Sequence, residues 1–329
     1  MNSAPEIDPR GRQGDRRFRY SILTLVSTVA LLGWGAFVTS IDAGLAVPDW
    51  PTTMNSYNPF NPWPQWWTAT PLLAEHGHRL LAMVVGALTV VLFVWTWMSE
   101  SRSYVKMCAL AALVLVVLQG VLGGLRVVLT SLDLAVVHAL VAQLFFCTLA
   151  AITLFHSRTW SFGFASSQKA SAKIRGLTIF LSTAIYIQII FGALLRHPGT
   201  GIDFFLAITH MVWAFVVACL LVFTYTQIHI HNAQHRVLIV WANVALAILT
   251  FQVLLGITAY FVLIDEQGML VPSNLQVSVN TIHMVTGALL LATSVVMTLI
   301  ANFAPTGSFE RPGSSVVRPV ERQATPVAS

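Results

Sequence analysis

Imidazole is the commonest protein ligand for metals and changes charge near neutral pH, so the ten histidines of this 329-residue chain are where chemistry is sought first. Four of them, His78, His138, His210 and His283, stand inside long apolar runs, where an ionisable side chain is costly and marks function. Each lies in an even-numbered apolar run, about five to seven residues from the run's outer end, roughly 8–10 Å deep at the helical rise. Each is followed four residues later by a small residue: Ala82, Ala142, Ala214 and Gly287. Positions i and i+4 share a helical face, so every ring has a flat patch beside it, the clearance a planar ligand requires. One such histidine would be accounted for by a hydrogen bond to a neighbouring helix; four at one depth are not. A zinc or copper ion would want a carboxylate or thiolate to complete the set, and none accompanies these four. Two bis-histidine haem sites fit the pattern better.

Further residues belong to the same level. Arg79, Arg126 and Arg196 fall near the outer ends of their runs, where haem propionates would need cationic donors and a guanidinium offers a two-pronged fork. Glu75 precedes His78 by three residues, so the two share a helix face and the carboxylate could serve as base or cation stabiliser. His76 and His197 sit at outer helix edges, and His156, His229, His231 and His235 on the inner side; these six are read as interfacial. Cys108, Cys147 and Cys219 lie singly within apolar runs, without the CxxCH spacing of covalent haem attachment or a zinc-binding arrangement.

The elements that must hold these residues are membrane spans. Hydrophobic residues make up 56% of the chain and charged residues 9%, with a mean hydropathy of +0.73, whereas a soluble domain carries ~25% charged residues. Apolar runs of the length needed to cross ~30 Å of hydrocarbon predict eight helices, at about 20–41, 73–98, 105–128, 133–155, 175–196, 204–227, 237–263 and 277–302. Fifteen of the eighteen Lys and Arg fall on the side of the N-terminus, so both termini are expected in the cytoplasm and the histidine level near the outer face. The net charge of +5 therefore reports orientation, not nucleic-acid binding. The outer loop 42–72 carries Trp50, Trp63, Trp66 and Trp67 and is expected to lie on the membrane surface. The first apolar run is too long for a cleaved signal peptide and is read as a retained helix.

An internal repeat is visible. GAFVTSIDAG (35–44) aligns with GALLRHPGTG (192–201), and QGVLG (119–123) with QVLLG (252–256); His78 then pairs with His210 and His138 with His283. The expectation is an all-α integral membrane protein of two tandem four-helix bundles. An inner segment 1–19 leads into the first bundle, 20–155; the second bundle, 175–302, precedes a disordered cytoplasmic tail, 303–329, rich in Pro, Gly, Ser and Arg.

These residues resemble the haem A synthase family. The likeness rests on GLAVPDWP (44–51), the ExxHRL pattern of Glu75 to Leu80, GGLRV (123–127) ahead of His138, GALLRHPGTG ahead of His210, and the late His283. It spans residues 30–300 and implies an enzyme of the bacterial plasma membrane that oxidises the C8 methyl of haem O to a formyl, making haem A for cytochrome oxidase. By that resemblance His210 and His283 ligate a haem b cofactor, His78 and His138 face the substrate haem, and Glu75 is the catalytic carboxylate. It leaves open haem O synthase as a partner, the electron partner's identity and homo-oligomerisation. The sequence departs from the family in two places: no cysteine pair stands in the outer loop, and Thr39 stands where an arginine is usual, its repeat mate being Arg196. A di-haem electron carrier resembling cytochrome b561 would need the histidines alone, without Glu75.

Overall fold

The computed structural model describes residues 9–161, 170–196, 204–232, 234–262 and 273–303, with side chains from residue 15 onward and none for Ser161. The disordered tail expected from about residue 303, His197, Lys169, Asp203, Asp265 and Glu266 lie outside the described residues. The described residues are helical apart from turns, loops and one isolated bridge between Thr53 and Ser56. The helices are α1 (Pro9–Ser40), α2 (Thr70–Ser99), α3 (Ser103–Val128), α4 (Leu132–His156), the single-turn α5 (Arg158–Ser161), α6 (Ala172–Arg196), α7 (Phe204–His231), α8 (Arg236–Phe261) and α9 (Asn274–Phe303). Eight of them are long and apolar enough to cross a membrane.

Most helices overrun their apolar cores by a turn or less, because flanking polar residues can continue a helix once packing has nucleated it. The first departs further. It is already helical at Pro9 rather than from residue 20, the polar stretch with Gly11 and Gly14 continuing the helix that the apolar run establishes.

Consecutive helices pack side by side. Contacts run α1 to α2, α2 to α3, α3 to α4 and back to α1, and likewise α6 to α7, α7 to α8, α8 to α9 and back to α6. The two sets meet where α9 packs on α1 and α4, and α4 on α6. The α9 helix buries 61% of its most apolar stretch and α7 only 11%, so α9 is central and α7 presents Phe204, Phe205, Val212 and Phe215 outward. In lipid there is no hydrophobic drive between helices, and close approach of small residues substitutes for it. The seam of α6, α8 and α9 follows that rule through Ala184, Ala242, Ala245, Ala288 and Ala292. Polar links fix the register: the Trp213 indole donates to the Ala184 carbonyl at 2.9 Å, Trp34 to Ala74 at 2.7 Å, and the Thr298 hydroxyl to the Thr178 carbonyl at 2.9 Å.

The inner ends are tied by charge. Arg17 of α1 and Arg102 both reach the carboxylate of Glu100 just beyond α2, at 3.1 and 2.9 Å, and Arg102 also donates to the Phe155 carbonyl of α4. Burial works to raise the Glu100 carboxyl, but donors from Arg102 and the charge of Arg17 outweigh it and hold it down at about 2. His156 is buried at this inner end instead of lying at an interface, and neither ring nitrogen has a hydrogen-bond partner.

The outer loop between α1 and α2 is anchored rather than loosely laid on the surface. Its Trp50 indole lies on Gly124 of α3 so closely that a Cβ there would come within 2.1 Å of the ring. Gly124→Val therefore expels Trp50. Overpacking of this kind costs ~1–3 kcal/mol, and the expected result is faster proteolysis of the loop with unchanged helix content by circular dichroism. Wild-type resistance to proteolysis would show that Trp50 does not hold the loop.

Candidate functional site

Two residues build each unit of the site, and the unit occurs four times. A Cβ placed on Gly35 of α1 would lie 3.0 Å from Cε1 of His78 on α2. The same approach recurs at 3.2 Å between Gly123 of α3 and His138 of α4, at 3.1 Å between Gly192 of α6 and His210 of α7, and at 3.2 Å between Gly256 of α8 and His283 of α9. In all four rings Cε1 is nearest the glycine and Nδ1 next, with Nε2 third at 3.7 Å for His78 and 4.0 Å for His138 and beyond 4 Å for the other two. The imidazoles thus turn the same Cε1 edge to the preceding helix. Any side chain in place of these glycines would press the ring out of that orientation.

The glycines lie four or five residues before the ends of their helices, and the histidines six to nine residues after the starts of theirs. This places all four units at one end of the molecule, the rings roughly 9–14 Å along their helices. His78 and His138 are close enough to sense each other's charge, as are His210 and His283, so the units form two pairs. His78 and His138 are densely surrounded by protein yet keep accessible surface, the combination of side chains that line an internal cleft. Nδ1 of His78, His138 and His283 has no hydrogen-bond partner of good geometry. The Gln188 carboxamide nitrogen lies 3.2 Å from both ring nitrogens of His210, and that of Gln252 lies 3.3 Å from Nε2 of His283.

The charged residues divide between the pairs. Arg126 lies close enough to act electrostatically on both His78 and His138, and Arg196 on His283. The Arg126 guanidinium donates to the Gly44 carbonyl at 2.9 Å, and Arg196 to the Ser40 hydroxyl at 2.5 Å, leaving the Arg196 Nε without a partner. Among the described residues neither arginine is ion-paired with a carboxylate. Arg79 is different, because it is fully engaged in holding the outer loop. Its Nη1 donates to the carbonyls of Asp49 and Thr52 and its Nη2 to that of Val47 and to Glu75 Oε1 at 2.9 Å. Glu75 Oε2 accepts from the Val47 N–H at 2.8 Å, so this 3% exposed carboxylate faces the loop and Arg79. Burial works to raise the nearby Asp49 carboxyl, but hydrogen bonds from the Thr52 hydroxyl and the Asn55 and Met54 amides hold it below its ordinary value.

His76 is not at a helix edge. It is buried in α2 with its ring 4.9 Å from that of Trp66, beneath the loop and away from the histidine pairs. The space at Gly287, expected to stay open for a planar ligand, is partly taken by Gln252, whose Nε2 would lie 3.2 Å from a Cβ there. The glycines and glutamines of the cradle were not singled out from the histidine pattern. The repeat nonetheless contained them, because it superposes Gly35 on Gly192 and Gln119 and Gly123 on Gln252 and Gly256.

A haem fits these residues on two counts, paired imidazoles with Nδ1 orphaned in His78, His138 and His283, and one arginine without a carboxylate partner beside each pair; the Gln188 and Gln252 carboxamides, 3.2 and 3.3 Å from Nε2 of His210 and His283, would give way to the iron. Among the described residues no group of three or more His, Cys, Asp or Glu is placed to hold a metal ion.

The chain is similar to Heme A synthase of Alkalihalophilus pseudofirmus, 27% identical over 183 residues, covering 54% of this chain and 59% of that one. It is also similar to Heme A synthase of Geobacillus kaustophilus, 28% over 192 residues (55% and 56%), and of Symbiobacterium thermophilum, 29% over 185 residues (54% and 58%). The matched stretch thus spans less than three-fifths of the length of these relatives. A family model, COX15-CtaA, described as cytochrome oxidase assembly protein, matches residues 18–207. That segment holds Glu75, His78, Arg79, Arg126, His138 and Arg196 and stops short of His210, so the second pair is tied to the first by the internal repeat and the shared glycine cradle. On this match, which covers more than half of its length, the chain belongs to the COX15-CtaA family of cytochrome oxidase assembly proteins.

Proposed function

We propose that the chain is a haem A synthase that takes haem O as substrate and oxidises its C8 methyl group to a formyl group, supplying haem A for cytochrome oxidase. The observation that carries the reading is the fourfold glycine–histidine apposition, which presents two imidazole pairs with the same Cε1 edge turned to the packing helix. Family membership and relatives named Heme A synthase support it. In this reading α1 to α4 and α6 to α9 act as two four-helix bundles in a bacterial plasma membrane, with both termini cytoplasmic and the histidines toward the outer face. The asymmetry of basic residues supports that orientation.

His210 and His283 hold a haem b, and Arg196 meets a propionate of it. When bound, that haem supplies one-electron redox chemistry between the substrate site and an electron partner. His78 and His138 hold haem O, Arg126 meets a propionate, and Arg79 adds its charge from the loop clasp. Oxidation of a methyl to a formyl withdraws electrons from the carbon and releases protons. Glu75 is the group that takes up a proton on this side, because it is the carboxylate in the Arg79 and Arg126 cluster beside His78. Its two oxygens accept from Val47 and Arg79, so the clasp loosens as Glu75 protonates.

Reporter fusions at the C-terminus are expected to report a cytoplasmic location; an external one would overturn the orientation and the outer placement of the histidines. His210→Ala and His283→Ala are each expected to abolish the low-spin haem b absorption of the purified protein, and a full bis-histidine spectrum in both would reassign that pair. Glu75→Gln removes the proton acceptor and keeps one oxygen to accept from either Val47 or Arg79, so loop proteolysis is followed beside turnover to separate the two roles. The expected outcome is turnover down ~10²–10⁴-fold, a larger loss than any gain in loop proteolysis, read as haem O or a hydroxylated intermediate in extracted haems when haem O synthase is co-expressed. Wild-type haem A yield would make Glu75 a loop anchor alone and favour an electron-carrying role for the chain.

A further inference from the structure

Arg126 and Arg196 each stand beside a histidine pair without a carboxylate partner, yet they are anchored differently. Arg126 donates to a main-chain carbonyl of its own half, that of Gly44. Arg196, the last residue of α6, donates from Nη2 to a side chain of the other half, the Ser40 hydroxyl at the end of α1. A serine hydroxyl has one hydrogen and two lone pairs. The hydrogen goes to the Ala36 carbonyl at 2.7 Å. The lone pairs are left for Arg196 and for the Thr281 hydroxyl of α9, 3.3 Å away, so Thr281 is the donor in that contact. Ser40 is thereby saturated, with partners on α1, α6 and α9. The guanidinium is not: its Nε is buried without a partner, and Nη2 keeps a second N–H. Nε and Nη2 form one edge of the fork with which arginine takes a carboxylate. Thr281 precedes His283 by two residues, and Arg196 is close enough to His283 to act on it electrostatically.

We infer that Ser40, held by Thr281, is a positioning residue for the Arg196 guanidinium, through which the first half of the chain sets the reduction potential at the second histidine pair. The inference rests on the haem reading of that pair and deepens it. An arginine at the outer end of a membrane helix is free to snorkel toward water and headgroups. The tether to Ser40 keeps this one turned inward beside the pair, where a low dielectric makes its charge count. A cation fixed beside a haem and its propionates favours the ferrous state, which carries one positive charge fewer than the ferric, and so raises the potential. Released from Ser40, the guanidinium turns to water, its charge is screened, and the potential falls. Gly35, which cradles His78, lies five residues before Ser40 on α1. The helix that orients a ligand of one pair therefore also fixes the cation of the other.

The test uses the purified full chain with its bound haem, whose midpoint potential is read by optical redox titration. Arg196→Gln removes the cation and is expected to lower the potential. Ser40→Ala is expected to lower it in the same direction by a smaller amount, and Ser40→Thr, which keeps a hydroxyl, to leave it at the wild-type value. The double variant of Ser40→Ala with Arg196→Gln is expected to match Arg196→Gln alone, because the serine acts only through the arginine. General loosening of the helices would instead add to the loss. Thr281→Val removes the donor that holds Ser40 and is expected to lower the potential as well; it decides the matter if Ser40→Ala fails to fold. A wild-type potential in Ser40→Ala or, where that variant does not fold, in Thr281→Val, while Arg196→Gln lowers it, would overturn the role of Ser40, as would additive losses in the double variant. A wild-type potential in Arg196→Gln would show that the guanidinium does not lie at a haem in this pair, a failure of the haem reading that takes the inference with it.

Discussion

The close contact of a glycine with the edge of an imidazole on the next helix sets much else in this protein. At 3.0–3.2 Å between a notional Cβ and Cε1, the approach is tighter than almost any side-chain packing allows, so helix separation and ring orientation are decided together. A histidine in lipid needs a reason to point inward, and here the reason is steric. The glycine lets the Cε1 edge of the ring approach the neighbouring helix more closely than a side chain would allow. Because the contact occurs near the end of each odd spanning helix, consecutive helices must be antiparallel neighbours, and the short outer turn between α3 and α4 follows from that.

The charged groups around this apolar frame differ between the two halves. Beside His78 and His138 the chain collects Glu75, Arg79 and Arg126 and covers them with the loop through Val47, Asp49 and Thr52. A buried ion pair is expensive unless its remaining donors and acceptors are met, and the loop's carbonyls and the Val47 amide meet those of Glu75 and Arg79. The loop is therefore less a cover laid over a finished site than the second half of a polar cluster.

Much of the frame was legible in the sequence because membrane spans and intramembrane histidines are strong signals. Eight apolar runs became eight helices, and the repeat that matched His78 to His210 and His138 to His283 also matched their glycines. Less legible was anything that depends on which way a side chain turns. Glu75 shares a face with His78 by spacing, yet the Val47 amide and Arg79 draw its carboxylate toward the loop. Arg79 reads like its fellows Arg126 and Arg196, but its position one turn after Glu75 engages it in the clasp. His76 looks peripheral by sequence and is buried because Trp66 folds over it, a contact that a one-dimensional pattern does not contain.

The absence of an arginine at Thr39 has a structural counterpart across the seam. Thr39 bonds back to the Gly35 carbonyl within α1, while its neighbour Ser40 accepts from Arg196, the repeat mate of Thr39, and pairs with Thr281 of α9. A guanidinium from the second half thus lies at the end of α1, where the first half has none of its own. Arg196 also acts on His283, so one cation is placed between the two halves rather than duplicated in each. Through Ser40 this guanidinium of the second half links α1, α6 and α9. Coupling between the two histidine pairs would require a shared element whose position both can sense. Among the described side chains, Arg196 joined to Ser40 and Thr281 is such an element, lying beside one histidine pair and anchored to the helix that cradles a histidine of the other.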